Sequence, residues 1–369
     1  MRHHRLQLVC SLLISVISII SCQKDSDIDP NQPLIDQMKY VTDSIIEHTV
    51  VPGVVALVVD HNRGIDWLYA AGLADIPNNQ ALNGNHTFRI GSNTKTMVVT
   101  VLLQLVDEGR LSLDDKLSDY YPDYPRSDSI TIAMLCNMTT GIYNYSEDES
   151  WLFQFYTNPL KAWPPEELVE IGFSHDFHFN PGTDWRYSNT NTIILGMLIQ
   201  KLTGNSLQAE IHNRIVNPLQ LNNTGLLTSG TGLPGVHARG YYAEEGEEHV
   251  DVTEYFDVSW SWAAGSAYST PRELQKYVEN MVGGSMLSGA LQQKRLDDLI
   301  AISDITGYGL GILKRGTFFG HNGALPGFSS SMYHCNLNNC TIIIYFNCLS
   351  DLHADFLFYR FRDILFGEG

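Results

Sequence analysis

The chain carries little positive charge. Its 369 residues include 23 lysines and arginines against 41 aspartates and glutamates, which gives a formal net charge of -18. An acidic surface repels the phosphates of nucleic acids and of anionic lipids. The composition therefore argues against a nucleic-acid partner and against electrostatic docking on an anionic membrane.

Several motifs of other protein classes are also missing. The sequence has no long repeat or low-complexity stretch, no His-Glu-x-x-His, and no cysteines at metal-ligand spacing. It has no Gly-x-Ser-x-Gly, so the nucleophile turn of the α/β-hydrolases is absent. The glycine-rich run 307–311 alternates like a strand and lacks the Lys-Ser/Thr of a phosphate-binding loop. We expect neither a metal nor a cofactor.

Long hydrophobic runs are missing except near the N-terminus. Arg2 and Arg5 precede an apolar run, 8–20, that is too short to span a bilayer. A basic start, a short apolar core and a small residue before a cut site are typical of an export signal. We expect residues 1–21 to be this signal, the alternative being a buried N-terminal helix.

The end of this signal resembles a bacterial lipoprotein box. Ser21 precedes Cys22, and the resemblance implies that Cys22 is lipidated and becomes the new N-terminus. Residues 22–33 are polar and are expected to form a tether, so the protein would be anchored to a membrane rather than span it. Acidic residues after Cys22 are similar to the surface-export signal of Bacteroidetes lipoproteins, so we expect a periplasmic or cell-surface location, anchored in the outer membrane.

Cysteine is scarce in the rest of the chain. Cys335 and Cys340 flank a turn-like tetrad, 336–339, between two strand-like runs, so they can face each other across a hairpin. In an exported protein they form either a disulfide or two free thiols. Cys136 and Cys348 lie in apolar surroundings and are expected to pack in the core.

The pattern of apolar residues predicts an α+β fold. An amphipathic helix over 33–48 is followed by strands over 54–60 and 65–72, and strand-like runs return after residue 264 before a C-terminal helix over 352–366. The expected architecture is an antiparallel sheet flanked by the N- and C-terminal helices, with an inserted, mostly helical lobe. The sheet lobe would comprise residues 34–95 and 265–369, the helical lobe residues 96–264, and the two together one catalytic domain.

Ser92 and Lys95 carry the strongest chemical signal. Apolar residues recur at helical spacing from Met97 to Val106, and Gly109 is a plausible left-handed stop, so Ser92 is expected in the first turn of a helix. A lysine three residues on shares its face and, in a partly desolvated pocket, can accept the serine proton. Taken alone, Ser-x-x-Lys is a weak signal, which a capping serine and a solvated lysine explain better.

Two later motifs favour the chemical interpretation. Tyr187 can pass protons between serine, leaving group and water if a neighbouring lysine lowers the pKa of its phenol. Asn189, two residues on, can donate and accept hydrogen bonds to a substrate amide. The third motif is His321-Asn322-Gly323.

Jointly, Ser92-Asn93-Thr94-Lys95, Tyr187-Ser188-Asn189 and His321-Asn322-Gly323 resemble the three motifs of the serine β-lactamase and penicillin-recognising DD-peptidase superfamily. They are most similar to its branch of class C β-lactamases, D-alanyl-D-alanine carboxypeptidases and related esterases. The resemblance runs from about residue 51 to residue 347 and implies that fold.

The resemblance also implies roles for single residues. Ser92 would be the acylated nucleophile, Lys95 its proton acceptor or electrostatic partner, and Tyr187 the general base. Substrate would be bound by Asn189 and by the strand that carries His321, Asn322 and Gly323, expected at the edge of the sheet. The backbone amides of Ser92 and Ala324 would form the oxyanion hole.

Two departures from the family pattern bear on the substrate. Where many members have Lys-Thr-Gly, this chain has His321-Asn322-Gly323, which replaces a permanent charge by an imidazole that titrates near neutrality. Binding of a substrate carboxylate is therefore weakened. Met138 stands where the family has a histidine, which removes a polar contact of that loop.

These observations favour a serine hydrolase that acts through an acyl-enzyme on Ser92. We expect a D-alanyl peptidase or esterase whose substrate is a small molecule or peptide, such as a peptidoglycan peptide or a β-lactam. The alternatives are a true class C-like β-lactamase and a non-catalytic lipoprotein that senses cell-wall fragments.

Overall fold

The structure confirms the α+β class. The computed structural model describes residues 29–367, so the predicted signal peptide and Cys22 lie outside the described residues. One nine-stranded antiparallel sheet, in the order β3-β2-β1-β14-β13-β12-β11-β10-β9, forms the centre of the molecule. Its strands are β1 (Gly53–Asp60), β2 (Ile65–Asp75), β3 (Gln80–Ala81), β9 (Ile300–Ala301), β10 (Thr306–Tyr308), β11 (Leu313–Arg315), β12 (Phe318–Leu325), β13 (Phe328–Cys335) and β14 (Cys340–Phe346).

Two three-stranded sheets complete the strand structure. One, in the order β4-β8-β5, leads into the segment that carries Ser92, and the other has the order β15-β6-β7. Their strands are β4 (Phe88–Arg89), β5 (Gly225–Leu226), β6 (Tyr241–Tyr242), β7 (Val250–Asp251), β8 (Ala267–Ser269) and β15 (Cys348–Leu349).

Eleven α-helices are found in the described chain. They are α1 (Gln32–His48), α2 (Thr94–Asp107), α3 (Ile132–Asn137), α4 (Glu149–Thr157), α5 (Pro165–Phe173), α6 (Asn189–Thr203), α7 (Leu207–Ile211), α8 (Trp262–Gly265), α9 (Pro271–Gly283), α10 (Gly289–Asp297) and α11 (Asp355–Phe366). No helix among residues 29–367 is long and apolar enough to cross a membrane.

The central strands are apolar at every position because both faces of the sheet are covered. In β1, Val54 and Val58 join one core cluster, whereas Val55 and Leu57 join the other. The first cluster contains residues of α1 and α11, and the second contains residues of α2 and α9. Since successive side chains of a strand point to opposite faces, a strand buried on both sides reads as a continuous apolar run.

Helix ends follow the signals in the sequence. Gly109, just after α2, and Gly204, at the C-terminal end of α6, have positive φ angles of 68° and 75°. Glycine adopts this left-handed conformation without a steric penalty, so both residues end their helices, Gly109 as expected. In α3 the left-handed position is taken by Met138, with φ 67°.

Two boundaries differ from the sequence prediction. The run 307–311 alternates like a strand, but β10 ends at Tyr308 and β11 begins at Leu313, with Gly311 at φ 62° in the turn between them. Alternation alone does not distinguish a strand from two strand ends joined by a glycine turn. Helix α1 begins at Gln32, inside the predicted tether, because Pro33 fits the first turn of a helix. The division into two lobes stays a prediction.

Candidate active site

Ser92 lies in a tight turn rather than in the α-helix itself. Residues 91–93 form one 3₁₀ turn, and α2 begins at Thr94. The turn is fixed from two sides. Asn93 donates to the Ser330 hydroxyl of β13 at 2.8 Å, and the Thr94 hydroxyl accepts from the Ala267 amide of β8 at 3.0 Å. The serine is thereby held at the junction of the sheet and the helices.

Lys95 is a buried amine without a carboxylate partner among the described residues. Its side chain is fully buried, and its Nζ lies 3.0 Å from Ser92 Oγ and donates to the Ala264 carbonyl at 2.7 Å. Burial lowers the pKa of Lys95 well below its ordinary value. A neutral amine has one lone pair, so while it donates to Ala264 it can accept the Ser92 proton. The structure thus supplies the desolvated pocket that the sequence interpretation required.

Tyr187 differs from the expectation. Its ring lies 4.9 Å from Lys95 Nζ, but burial raises the pKa of the phenol, and the neighbouring Ser92 hydroxyl offsets this only in part. We expected a lysine cation to lower that pKa. The expectation was wrong because an amine held neutral by burial provides no cation. The buried phenol oxygen makes no hydrogen bond of ordinary geometry within residues 29–367.

The backbone amides expected to form an oxyanion hole lie on two adjoining segments. Gly91 has φ 55°, and a Cβ at this position would lie 2.8 Å from the Ala324 amide nitrogen. A Cβ at Gly323 would lie 2.1 Å from the Ile90 carbonyl oxygen and 2.9 Å from the Ser92 nitrogen. Only glycine at both positions permits this approach of β12 to the serine turn.

Strand β12 is not an edge strand along its whole length. It pairs with β13 from Phe319 to Leu325, and on its other side with β11 through Phe318–Gly320 only. Beyond Gly320 that second side has no strand neighbour among residues 29–367 and faces the serine turn instead. The expected edge is therefore local, and it begins where β11 ends.

Asn189 is the first residue of α6 and lines the same cleft as Ser92. Its amide nitrogen Nδ2 donates to the Ser146 hydroxyl, and its backbone amide donates to Asn144 Oδ1, each at 3.0 Å. The loop of residues 144–146 thus orients Asn189 toward the cleft. The side-chain amide is fixed before a substrate enters.

His321 is a neutral imidazole. Its Nδ1 lies 2.6 Å from the Asn322 carbonyl oxygen, which can only accept, so Nδ1 carries the proton and Nε2 accepts from the Tyr308 hydroxyl at 3.3 Å. Burial lowers the pKa of His321 to about 3. The expectation of an imidazole that titrates near neutrality was wrong, because it assumed a solvated ring.

Asn322 is bound to an acidic residue of the C-terminal helix. Its Nδ2 donates to Asp355 Oδ2 at 2.7 Å, and the same oxygen accepts from Arg315 Nη2 at 2.7 Å. The amide nitrogen of Asn322 is thus engaged inside the protein. Asn322 still lines the cleft together with Asn189, His321 and Gly323.

One cleft of about 630 Å³ contains most of the predicted site. Its walls include residues from all three motifs, namely Ser92, Tyr187, Asn189, His321, Asn322, Gly323 and Ala324. Lys95 lies behind Ser92. A larger groove, of about 980 Å³, lies between the end of α1 and residues 349–352 and contains no motif residue. Within residues 29–367 no cluster of three or more histidine, cysteine or acidic side chains is arranged to hold a metal ion.

The remaining sequence features have structural explanations. Cys335 and Cys340 are paired directly across the β13–β14 hairpin, and both are free thiols. The loop that carries Met138 keeps a contact at this position, because Asn191 Nδ2 lies 3.3 Å from the methionine sulfur. Cys136 and Cys348 are buried in the core.

Sequence reasoning missed four groups that shape the site. The Ala264 carbonyl is a backbone group and has no sequence signal. Tyr308 lies in the glycine-rich run to which we gave no chemical role, and neither Arg315 nor Asp355 belongs to a motif. Their importance comes from contacts between segments that are far apart in the chain.

Comparison with known proteins agrees with this geometry. The model of a family described as Beta-lactamase matches residues 41–360. The putative penicillin-binding protein PbpX of Bacillus subtilis (strain 168) is 25% identical over 303 residues, which are 82% of this chain and 70% of the relative. Protein flp of Staphylococcus aureus (strain NCTC 8325 / PS 47) is 25% identical over 334 residues, and this chain spans 65% of its length.

Two solved structures match nearly the whole fold. A D-stereospecific amidohydrolase from Streptomyces sp. has a TM-score of 0.81 at 29% identity, over 90% of this chain and 99% of the other. The D-amino acid amidase from Ochrobactrum anthropi SV3, complexed with D-phenylalanine, has a TM-score of 0.80 at 25% identity, over 91% and 100%.

Proposed function

The chain belongs to the beta-lactamase family and is a serine hydrolase, and within that class we propose that it hydrolyses amides of D-amino acids through an acyl-enzyme on Ser92. The observation that most supports this proposal is the 3.0 Å contact between Ser92 Oγ and the buried amine of Lys95. A serine becomes nucleophilic when a neighbouring neutral base can take its proton.

In the acylation step Lys95 accepts the proton of Ser92 while Oγ attacks the substrate carbonyl carbon. The negative charge that develops on the carbonyl oxygen is stabilised by the backbone amides of Ser92 and Ala324. When the carbon–nitrogen bond breaks, the leaving nitrogen takes a proton from the Tyr187 hydroxyl, which recovers it from Lys95. Water then releases the acid and restores Ser92.

Tyr187 serves in this sequence as a proton donor to the leaving group. Its raised pKa keeps the phenol protonated at neutral pH, and that form can donate but is a poor base. Lys95, whose pKa burial lowers, is the better proton acceptor. The raised pKa of Tyr187 and the lowered pKa of Lys95 support the role of acid for Tyr187 and of base for Lys95.

The choice of amides follows from the charges along β12. A peptidase that takes a free C-terminal carboxylate needs a cation in the cleft, and the neutral His321 does not provide one. An amide of an amino acid requires no such cation. Amide hydrolysis is also named in two solved structures that this chain matches over most of its length.

The test compares D- and L-phenylalanine amide as substrates of the wild-type protein and of Ser92→Ala. We expect ammonia release from the D-amide and loss of it in the variant by about 1,000-fold or more. Mass spectrometry of the protein during turnover should detect the acyl adduct on Ser92. Full activity in Ser92→Ala would contradict the proposal. Ser92-dependent cleavage of short acyl esters or penicillin alone would keep Ser92 as the nucleophile but assign a different substrate class.

We further propose that the mature enzyme is a lipoprotein anchored through Cys22 and exposed at the periplasmic or outer surface of a bacterial outer membrane. The support is sequence alone, namely the export-signal pattern that ends at Cys22 and the acidic residues that follow it. A polar tether of about ten residues would keep the catalytic domain within roughly 35 Å of the bilayer.

A further inference from the structure

Arg315 is the one residue with a permanent charge among those described that line the cleft. It lies at the end of β11, and its side chain is 17% exposed. An arginine at the wall of a substrate cleft is ordinarily a binding site for a carboxylate, because its fork of N–H groups matches two carboxylate oxygens.

The guanidinium of Arg315 is already engaged by the protein. Its Nε donates to the Tyr333 hydroxyl at 2.7 Å, one Nη donates to the Tyr359 hydroxyl, and the other donates to Asp355 Oδ2 at 2.7 Å. Burial works to lower the pKa of Arg315, but the neighbouring Tyr333 and Asp355 outweigh it, and the pKa is raised. The cation is therefore held by its internal partners.

Asp355 is placed to balance this charge. It is the first residue of α11, its side chain is 12% exposed, and it accepts from Arg315, from Asn322 and from the Ser331 hydroxyl. The carboxylate thus has three donors around it at the N-terminus of α11. Arg315 and Asp355 thus form a neutral pair beside β12.

We infer that Asp355 determines specificity: by balancing Arg315 it leaves the cleft without a free cation, so that the enzyme takes amide substrates that carry no carboxylate within the cleft. This inference rests on the proposed amide hydrolysis. It also gives a reason for Asn322, whose amide donates to Asp355 Oδ2 at 2.7 Å.

The test uses two substrates that differ only in one charge, D-phenylalanyl-D-alanine and its C-terminal amide. Release of D-phenylalanine gives kcat/KM for each, and the wild-type enzyme should prefer the amide. In Asp355→Asn, which removes the charge and keeps the shape, the ratio of free acid to amide should rise about 10-fold to 100-fold. High salt should reduce this gain.

Ser331→Ala is the matched control, because it removes a hydrogen bond to Asp355 without changing a charge. Its substrate ratio should equal that of the wild-type enzyme. Arg315→Met should move the ratio the opposite way, since it leaves an unbalanced carboxylate that repels the free acid. An unchanged ratio in folded Asp355→Asn, or a rise in Arg315→Met, overturns the inference.

Two further measurements keep the result clear. In the wild-type protein the ratio of free acid to amide should not depend on salt, because the Arg315 end of the cleft carries no net charge. A strong preference for the free acid at low salt in the wild-type protein would contradict the inference. Binding of N-acetyl-D-phenylalanine to Ser92→Ala should tighten when Asp355→Asn is added. If that tightening occurs while the wild-type protein cleaves no amide, the proposed function fails and the role of Asp355 stands.

Discussion

Lys95 illustrates how one residue ties activity to a cost in stability. Its amine is fully buried, with the Ala264 carbonyl and Ser92 as its polar neighbours. In the unfolded chain the same amine is protonated at neutral pH, whereas burial in the folded state lowers its pKa and so favours the neutral form. The folded state binds fewer protons, so its stability falls as the pH decreases below the ordinary lysine pKa.

Replacing Lys95 by methionine should therefore have opposite effects on the two properties. We expect kcat/KM to fall about 100-fold to 10,000-fold, because Ser92 loses its proton acceptor. The melting temperature at pH 7 should rise by about 2 °C or more, because an apolar side chain of similar length fills the pocket without deprotonation. Amide hydrolysis and thermal denaturation, measured side by side, check both.

The pH dependence provides the control for this prediction. Wild-type kcat/KM should decrease as the pH is lowered through the folded-state pKa of Lys95, and the residual activity of Lys95→Met should lack that decrease. Lys276→Met, on the exposed face of α9, should change neither activity nor stability. A Lys95→Met protein less stable than the wild type would contradict the account.

At the scale of elements, the site depends on the contact between β12 and the serine turn. The Asn93 and Ser330 side chains link the two, and Ser330 donates to the Ile90 carbonyl at 2.9 Å. Glycine at 323 permits the close approach of β12 to the serine turn on which the predicted oxyanion hole of the Ser92 and Ala324 amides depends. We therefore expect the geometry of that predicted site to depend on backbone contact rather than on side chains.

Gly323→Ala should separate these elements. The new methyl group would lie 2.1 Å from the Ile90 carbonyl oxygen, so the strand must shift. We expect a loss of activity of about 100-fold or more, since one misaligned oxyanion donor has that effect, and a destabilisation of about 1–3 kcal/mol. Steady-state kinetics and denaturant unfolding measure the two.

Gly283→Ala is the matched control for this substitution. Gly283 is the last residue of α9, and a Cβ there meets no atom within 4 Å. Because alanine favours the helix more than glycine does, this variant should be as active and at least as stable as the wild type. Equal losses in both variants would mean that the close approach of β12 is not the cause.

At the scale of the whole molecule, the first and last helices lie together on one face of the sheet. Helices α1 and α11 are in contact, so the first and the last helix of the described chain lie in one layer. The layer on the opposite face of the sheet covers the serine turn. With α1 starting at Gln32, the predicted tether would join the fold next to this terminal layer.

Cys22→Ser in the full-length chain should release the protein from the membrane. We expect the wild type to fractionate with outer membranes and to carry a lipid on Cys22, which mass spectrometry of the N-terminal peptide detects. Cys10→Ser, inside the predicted signal, should leave both properties unchanged. Membrane association that survives in Cys22→Ser would argue for another mode of attachment.

The sequence by itself determined which chemistry is present and which elements carry it. Ser92 and Lys95 stand three apart ahead of a helical pattern, Gly109 and Gly204 mark where helices end, and the apolar run of β1 predicts a strand covered on both faces. These are local signals, since helix spacing, turn conformation and strand alternation act over a few residues. They were sufficient for the fold class, whereas the meeting of the three motifs in one cleft was expected from their resemblance to a known family.

Only the tertiary structure decided how those groups are charged. Burial against the Ala264 carbonyl makes Lys95 a neutral amine, and burial beside Tyr308 makes His321 a neutral acceptor. The charge of Arg315 is balanced by Asp355, which is 40 residues away in the chain. A pKa and an ion pair depend on which segments exclude water from one another, and that is fixed only when β11, β12 and α11 pack together.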